Sequence, residues 1–188
     1  MRAAAVLLVA TLAACASSGS GSGSGSSPHT VLVPGGPDLR ISGTDASNVH
    51  TLAYPVDQVW RALPATFDSI GVPVAAIDPA KRTMGNEGFK IRGRLKNTPL
   101  SRFIDCGNST QVGANADNYD VTLTLLAEVQ PGEQGASKVI LTFQALAKPA
   151  NFSQEYSQCS SRAALETRFL DLLKARLARS TRPASGTQ

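Results

Sequence analysis

Residues 119–147, YDVTLTLLAEVQPGEQGASKVILTFQALA, decide the fold. Tyr119, Val121, Leu123, Leu125, Ala127 and Val129 share one side of an extended chain. Val139, Leu141, Phe143 and Ala145 repeat the pattern after the turn-forming QPGEQGAS. Alternation with a period of two is the mark of a half-buried strand, because successive side chains point to opposite faces. Two such runs joined by a Pro/Gly-rich turn predict an antiparallel hairpin with an apolar core face and a Thr/Gln-rich, solvated one.

Outward from the hairpin the period changes. In PVDQVWRALPATFDSIG, Val56, Val59, Trp60, Leu63, Phe67 and Ile70 follow the i, i+3, i+4, i+7 rule of a helix buried on one face. Pro55 is pre-set for the first turn, Gly71 is a natural stop, and Pro64 predicts a kink. SSRAALETRFLDLLKARLARS carries Leu165, Phe169, Leu172, Leu173 and Leu177 on a second helical stripe. Ser160 or Ser161 is the expected N-cap, with Arg176 and Arg179 near the C-terminal dipole. VHTLAY and VPVAAID read as strands, and residues 83–96 as a longer one. Residues 97–118 read as a long loop. The expected class is α+β: a curved antiparallel sheet of about five strands in the order β-α-β-β-β-β-α, with both helices on its apolar face.

The N-terminus has a different grammar. Arg2 precedes an apolar run from Ala3 to about Leu12, too short for a permanent bilayer span and proportioned like a signal peptide. Its end, Leu12-Ala13-Ala14-Cys15, resembles the lipobox of bacterial lipoproteins. That resemblance implies removal of residues 1–14 and diacylglycerol and palmitate-type acylation of Cys15. Two or three acyl chains make a lasting anchor, at about 0.8 kcal/mol per buried CH₂. Residues 15–47 then form a Gly/Ser/Pro-rich tether, whose apolar patches at Val31–Val33 and Leu39–Ile41 lend at most one edge strand. The domain occupies residues 48–180, and 181–188 form a disordered tail.

Eighteen Lys and Arg against fourteen Asp and Glu give a net charge of +4, mild and spread along the chain. That balance does not point to nucleic acid. With Cys15 assigned to lipid, Cys106 and Cys159 remain as an even pair in an exported protein, which favours a disulfide. The rival reading makes Cys106 a nucleophile needing His29 or His50 as its base.

Neither paired carboxylates nor a His/Cys metal cluster nor a phosphate-binding Gly loop emerges from the spacing, so the expectation is no enzyme, no metal and no cofactor. Asp105, Asp117, Asn118 and Asp120 gather around one loop, where such residues serve as turn formers or hold a cation. The sharpest polar feature is Lys90, Arg92, Arg94 and Lys96, which period-two spacing places in one row on the outer sheet face, with Lys81, Arg82 and Arg102 nearby. Such a row discourages edge pairing or forms a docking patch for an acidic protein, a lipid headgroup or a polysaccharide.

YPVDQVWRALPATFDSIGVPVAAIDPAKRTMGNEGFKI resembles the opening of BamC-type lipoprotein domains, and LSRFIDCG, GANADNYDV and SQCSSRAALETRFLDLLKARL are similar to the remaining landmarks of related bacterial lipoproteins, over about residues 47–178 in all. The resemblance implies a helix-grip fold, in which a curved sheet wraps a C-terminal helix. It also implies attachment at the bacterial outer membrane, most simply on its periplasmic face. Ala16, following the lipidated cysteine, is not the aspartate that retains lipoproteins at the inner membrane. BamC-type proteins carry two such domains, and this chain has room for one.

Two functional expectations follow. One is a non-catalytic interaction or accessory module held at the membrane by its lipid, with an envelope or outer-membrane protein as partner, serving outer-membrane assembly or maintenance. The other is a small apolar or amphipathic ligand held between sheet and C-terminal helix, with Phe89, Ile91, Phe143, Phe169 and Leu173 as cavity walls.

Overall fold

The computed structural model describes residues 29–31, 39–41, 48–150 and 155–181. The predicted signal peptide, Cys15, most of the tether and the tail beyond Thr181 lie outside the described residues. Within the tether, His29–Val31 and Leu39–Ile41 pair with each other as an antiparallel ribbon, His29 opposite Ile41. That ribbon is separate from the main sheet, so these two segments partner one another instead of lending an edge strand.

The main sheet is antiparallel and has seven strands. In chain order they are β1 (Val49–Leu52), β2 (Ala76–Asp78), β3 (Thr83–Arg92), β4 (Ile104–Asp105), β5 (Asp120–Pro131), β6 (Ser137–Lys148) and β7 (Ser157–Ser161). Helix α1 (Val56–Ile70) follows β1, and helix α2 (Ala164–Ser180) follows β7. The spatial order is β2-β3-β5-β6-β7-β4, and β1 also pairs with β6. β6 therefore carries two partners end to end on one flank: β1 along Ser137–Ile140 and β7 along Ala145–Ala147.

The expected hairpin is the spine of the sheet. β5 and β6 pair without interruption from Asp120 opposite Lys148 to Pro131 opposite Ser137. Val121, Leu123, Leu125, Ala127, Val129, Val139, Leu141 and Ala145 are buried in one cluster with Val59, Leu63 and Phe67 of α1 and Leu165, Phe169, Leu173 and Leu177 of α2. The rings of Phe67 and Phe169 meet edge-on, 4.9 Å between centroids, and join the two helices inside that core. On the opposite face Thr122, Thr124, Gln144 and Leu146 are buried as well, which corrects the expectation of an evenly solvated surface. In register, Thr122 sits between Lys90 and Leu146. A short side chain on an interior strand is shielded by longer neighbours on both sides.

β3 does not keep one phase. Phe89 lies opposite Leu123 but Asn86 opposite Leu125, so Glu87 and Gly88 together face Thr124 in a β-bulge. The extra residue changes which parity points inward. Beyond the bulge Phe89 and Ile91 share the core side with Leu123 and Val121, whereas before it Asn86 and Met84 do. Gly85 belongs to this distortion, at φ +152° and tight against the backbone of Leu125.

Helix α1 runs unbroken through Pro64 and ends as expected at Gly71, φ +85°, whose N–H donates to the Phe67 and Asp68 carbonyls. Val72 N–H also reaches the Phe67 carbonyl, the six-to-one bond of a Schellman ending. The start of α2 differs from expectation. Its N-cap is Ala163 at φ +56°, and Ser161 acts from two residues upstream. The Ser161 hydroxyl accepts from Ala163 N–H and donates to Glu166, a displaced form of the capping box. Arg176 does not serve its own helix end. Its guanidinium crosses to α1 and donates to the Ala65 carbonyl and to Ser69 Oγ, both at 2.9 Å.

Candidate interaction surface

Cys106 and Cys159 are bonded to each other, with Cα atoms 4.4 Å apart across 53 residues of sequence. The bond ties the loop after β4 to the middle of β7. β4 and β7 pair through Ser160–Asp105 and Ser161–Ile104, and Asp105 Oδ2 accepts from Arg162 at 2.8 Å. Cys106 is thus occupied in a structural disulfide. His50 sits on β1 opposite Val139, away from it in the sheet. Burial, and then the nearby Lys174 ammonium, hold the His50 imidazole below its usual pKa.

The loop carboxylates are also committed. Asp117 accepts from Ser101 N–H at 2.8 Å and from the Ser101 hydroxyl at 2.6 Å. Asp105 accepts from Gly107 N–H besides its bond to Arg162. Asn118 donates to the Val112 and Ala114 carbonyls, and Asp120 pairs loosely with Arg92 at 3.9 Å. Within residues 97–118 these bonds accompany short ribbons, a 3₁₀ turn at Leu100–Arg102 and a single α-helical turn at Asn115–Asn118. Among the described residues no group of three or more His, Cys, Asp or Glu is arranged to hold a metal ion.

The basic row is broken. Lys90 and Arg92 do lie on the outer face of β3, in register with Thr122 and Asp120. The strand then ends, because Gly93 turns the chain at φ +71°. Arg94 sits on a two-residue ribbon with Pro99 and donates to the Asn97 carbonyl. Lys96 occupies the left-handed region at φ +51°, its side chain close to Gly71. Arg82 is turned toward Asp57 of α1, 3.4 Å away. A single period-two row would need an unbroken strand, and Gly93 ends it.

Two other residues complete what remains. Lys90, Arg92, Lys148 and Tyr156 surround a groove of about 370 Å³, with Asp120 and Thr122 between them. The Lys148 ammonium lies over the Tyr156 ring, 5.0 Å from its centroid. Arg92, Asp120 and Lys148 stand directly opposite one another on three neighbouring strands. Among the described residues no carboxylate forms an ion pair with Lys90 or Lys148. Three cations around one carboxylate make the groove an attractive place for negative charge. Lys148 was within reach of the sequence, since it continues the outward parity of Lys138 and Gln144. Tyr156 was not, because it precedes a strand without a pattern.

No family model matches this sequence, and no curated protein matches it either.

The expected cavity walls are packed side chains. Phe169 and Leu173 have no exposed surface, while Phe89, Ile91 and Phe143 are partly buried against the same core. Ile91 also borders the basic groove. A second, wider hollow of about 520 Å³ lies at the start of α2 between Arg162, Arg168 and Leu172, open to solvent. Among the described residues no helix is long and apolar enough to cross a membrane.

Proposed function

We propose that this chain is a lipid-anchored bacterial envelope protein whose single α+β domain is a non-catalytic interaction module, held at the periplasmic face of the outer membrane and serving its assembly or maintenance. The observation that carries the reading is the division of the three cysteines. Cys106 and Cys159 satisfy each other, so the remaining one is Cys15, the residue at the lipobox-like position after Leu12-Ala13-Ala14. Acylation there provides the anchor, and the Gly/Ser run after it provides reach.

The module reading is supported by what the domain presents outward. The loop carboxylates are spent on backbone amides and arginines, whereas Lys90, Arg92, Lys148 and Tyr156 line an open, positively charged groove. Cationic surfaces of this kind steer acidic partners and fix their register.

Cross-linking in native membranes, followed by identification of captured proteins, tests the module reading. Enrichment of one envelope protein over background supports it, and capture no greater than background sinks it. The anchor is tested separately: Cys15→Ala leaves the membrane fraction after a salt wash, and a variant that still pellets refutes lipidation.

A further inference from the structure

We infer that the Lys90/Arg92/Lys148 groove seats the phosphate of anionic phospholipid headgroups, so that the domain lies down on the bilayer that anchors it. This rests on the anchor reading above. Three cations on the two strands that flank β5, Lys90 and Arg92 on β3 and Lys148 on β6, one held over an aromatic ring, present several donors to one small anion. The single carboxylate among them, Asp120, is 3.9 Å from Arg92 and bound only loosely. An incoming phosphate oxygen can therefore displace it from the guanidinium without breaking a tight pair. Tyr156 adds a ring with one apolar and one polar end, the type of side chain that settles at headgroup depth.

Tether geometry favours a lipid over a distant partner. The domain begins at Val49, opposite Ile140 on β6, and Lys148 lies eight residues further along that strand. At about 3.4 Å per residue the groove is roughly 27 Å from the tether root. The ribbon closes on itself at His29 and Ile41, which leaves residues 16–28 and 42–48 between Cys15 and Val49, a contour length that at about 3.3 Å per residue exceeds that distance. The anchor and the groove can thus meet one surface without stretching the chain. Acylation of Cys15 holds the local headgroup concentration high throughout.

The test uses the full acylated chain reconstituted in phosphatidylcholine vesicles with or without phosphatidylglycerol. Accessibility of individual lysines is read with an amine-acylating reagent and mass spectrometry. Phosphatidylglycerol should lower labelling of Lys90 and Lys148 by about fivefold, the equivalent of roughly 1 kcal/mol per basic residue at an anionic surface. Lys174, on α2 at the other face of the sheet, should be unchanged, and Arg92→Gln or high salt should restore labelling at the groove.

Equal labelling in both vesicles overturns the inference. So does protection by inorganic phosphate over phosphatidylcholine as complete as that by phosphatidylglycerol, which would make the groove a free-anion site. Protection seen only in native membranes assigns the groove to an acidic protein instead. That last result removes the headgroup and leaves the interaction module standing, whereas protection in pure vesicles with no cross-linked protein does the reverse.

Discussion

Gly85 approaches Leu125 so closely that a Cβ added to it would stand 2.0 Å from the Leu125 carbonyl oxygen. The contact is backbone on backbone, so no rotamer change relieves it. Gly85→Ala should therefore destabilise the domain by about 3 kcal/mol, through overpacking and a φ that suits glycine. Urea unfolding monitored by tryptophan fluorescence measures it, and a loss within error of zero would mean that the bulge can slide.

Removing the disulfide acts mainly on the unfolded chain. Closing a loop of this length contributes about 4 kcal/mol in the chain-entropy account. Cys106→Ala/Cys159→Ala should lose most of that, with amide exchange rising first in β4 and the following loop. Unchanged exchange there would show that the Asp105–Arg162 pair and the β4–β7 bonds hold the loop alone.

Arg176→Met keeps the aliphatic stem and deletes the two bonds to α1. The expected loss is about 1–2 kcal/mol, at the lower end for hydrogen bonds from a charged donor, because the Ala65 carbonyl still accepts from the Ser69 hydroxyl. Arg176→Lys should recover part of it. If Met and Arg proved equally stable in a denaturation series, the helix pair would rest on its apolar contacts alone.

His50 gives the domain one acid-sensitive joint. Its pKa is lowered in the folded state, by burial first and by Lys174 second. The unfolded chain therefore binds the proton more readily, and stability should fall as pH drops below about 6.5, levelling off once pH passes the folded value. His50→Gln should remove that component of the curve, and Lys174→Gln should narrow its window. An unchanged slope in His50→Gln would place the acid sensitivity elsewhere.

The elements legible in the sequence are those whose side chains carry a period: the β5–β6 hairpin and the two helices. Side-chain pattern encodes burial, and these segments bury one face over ten or more residues. β4 and β7 escape such reading. Ile104–Asp105 is two residues long, and SQCSS has no apolar alternation. They are strands because a disulfide and a few backbone bonds hold them side by side. The bulge was signalled faintly by Gly85 and Gly88 within an otherwise strand-like run, since glycine inside a strand often marks one. The candidate groove was half legible. Lys90 and Arg92 could be placed by parity, but their company depends on which strands become neighbours.

β1 is four residues long, and it joins the domain to everything that precedes it. Any pull arriving along the chain from the N-terminal side meets the pairs from Val49–Ile140 to Leu52–Ser137 before it reaches a helix. The next restraint is the buried Ser137 hydroxyl, which donates to the Tyr54 carbonyl at 2.6 Å. A load applied across the sheet would peel that strand pair by pair, with the hydroxyl as the last bolt ahead of α1. The mechanical yield point of the domain is thus set by four short pairings and one serine, and the helical core stays shielded until they part.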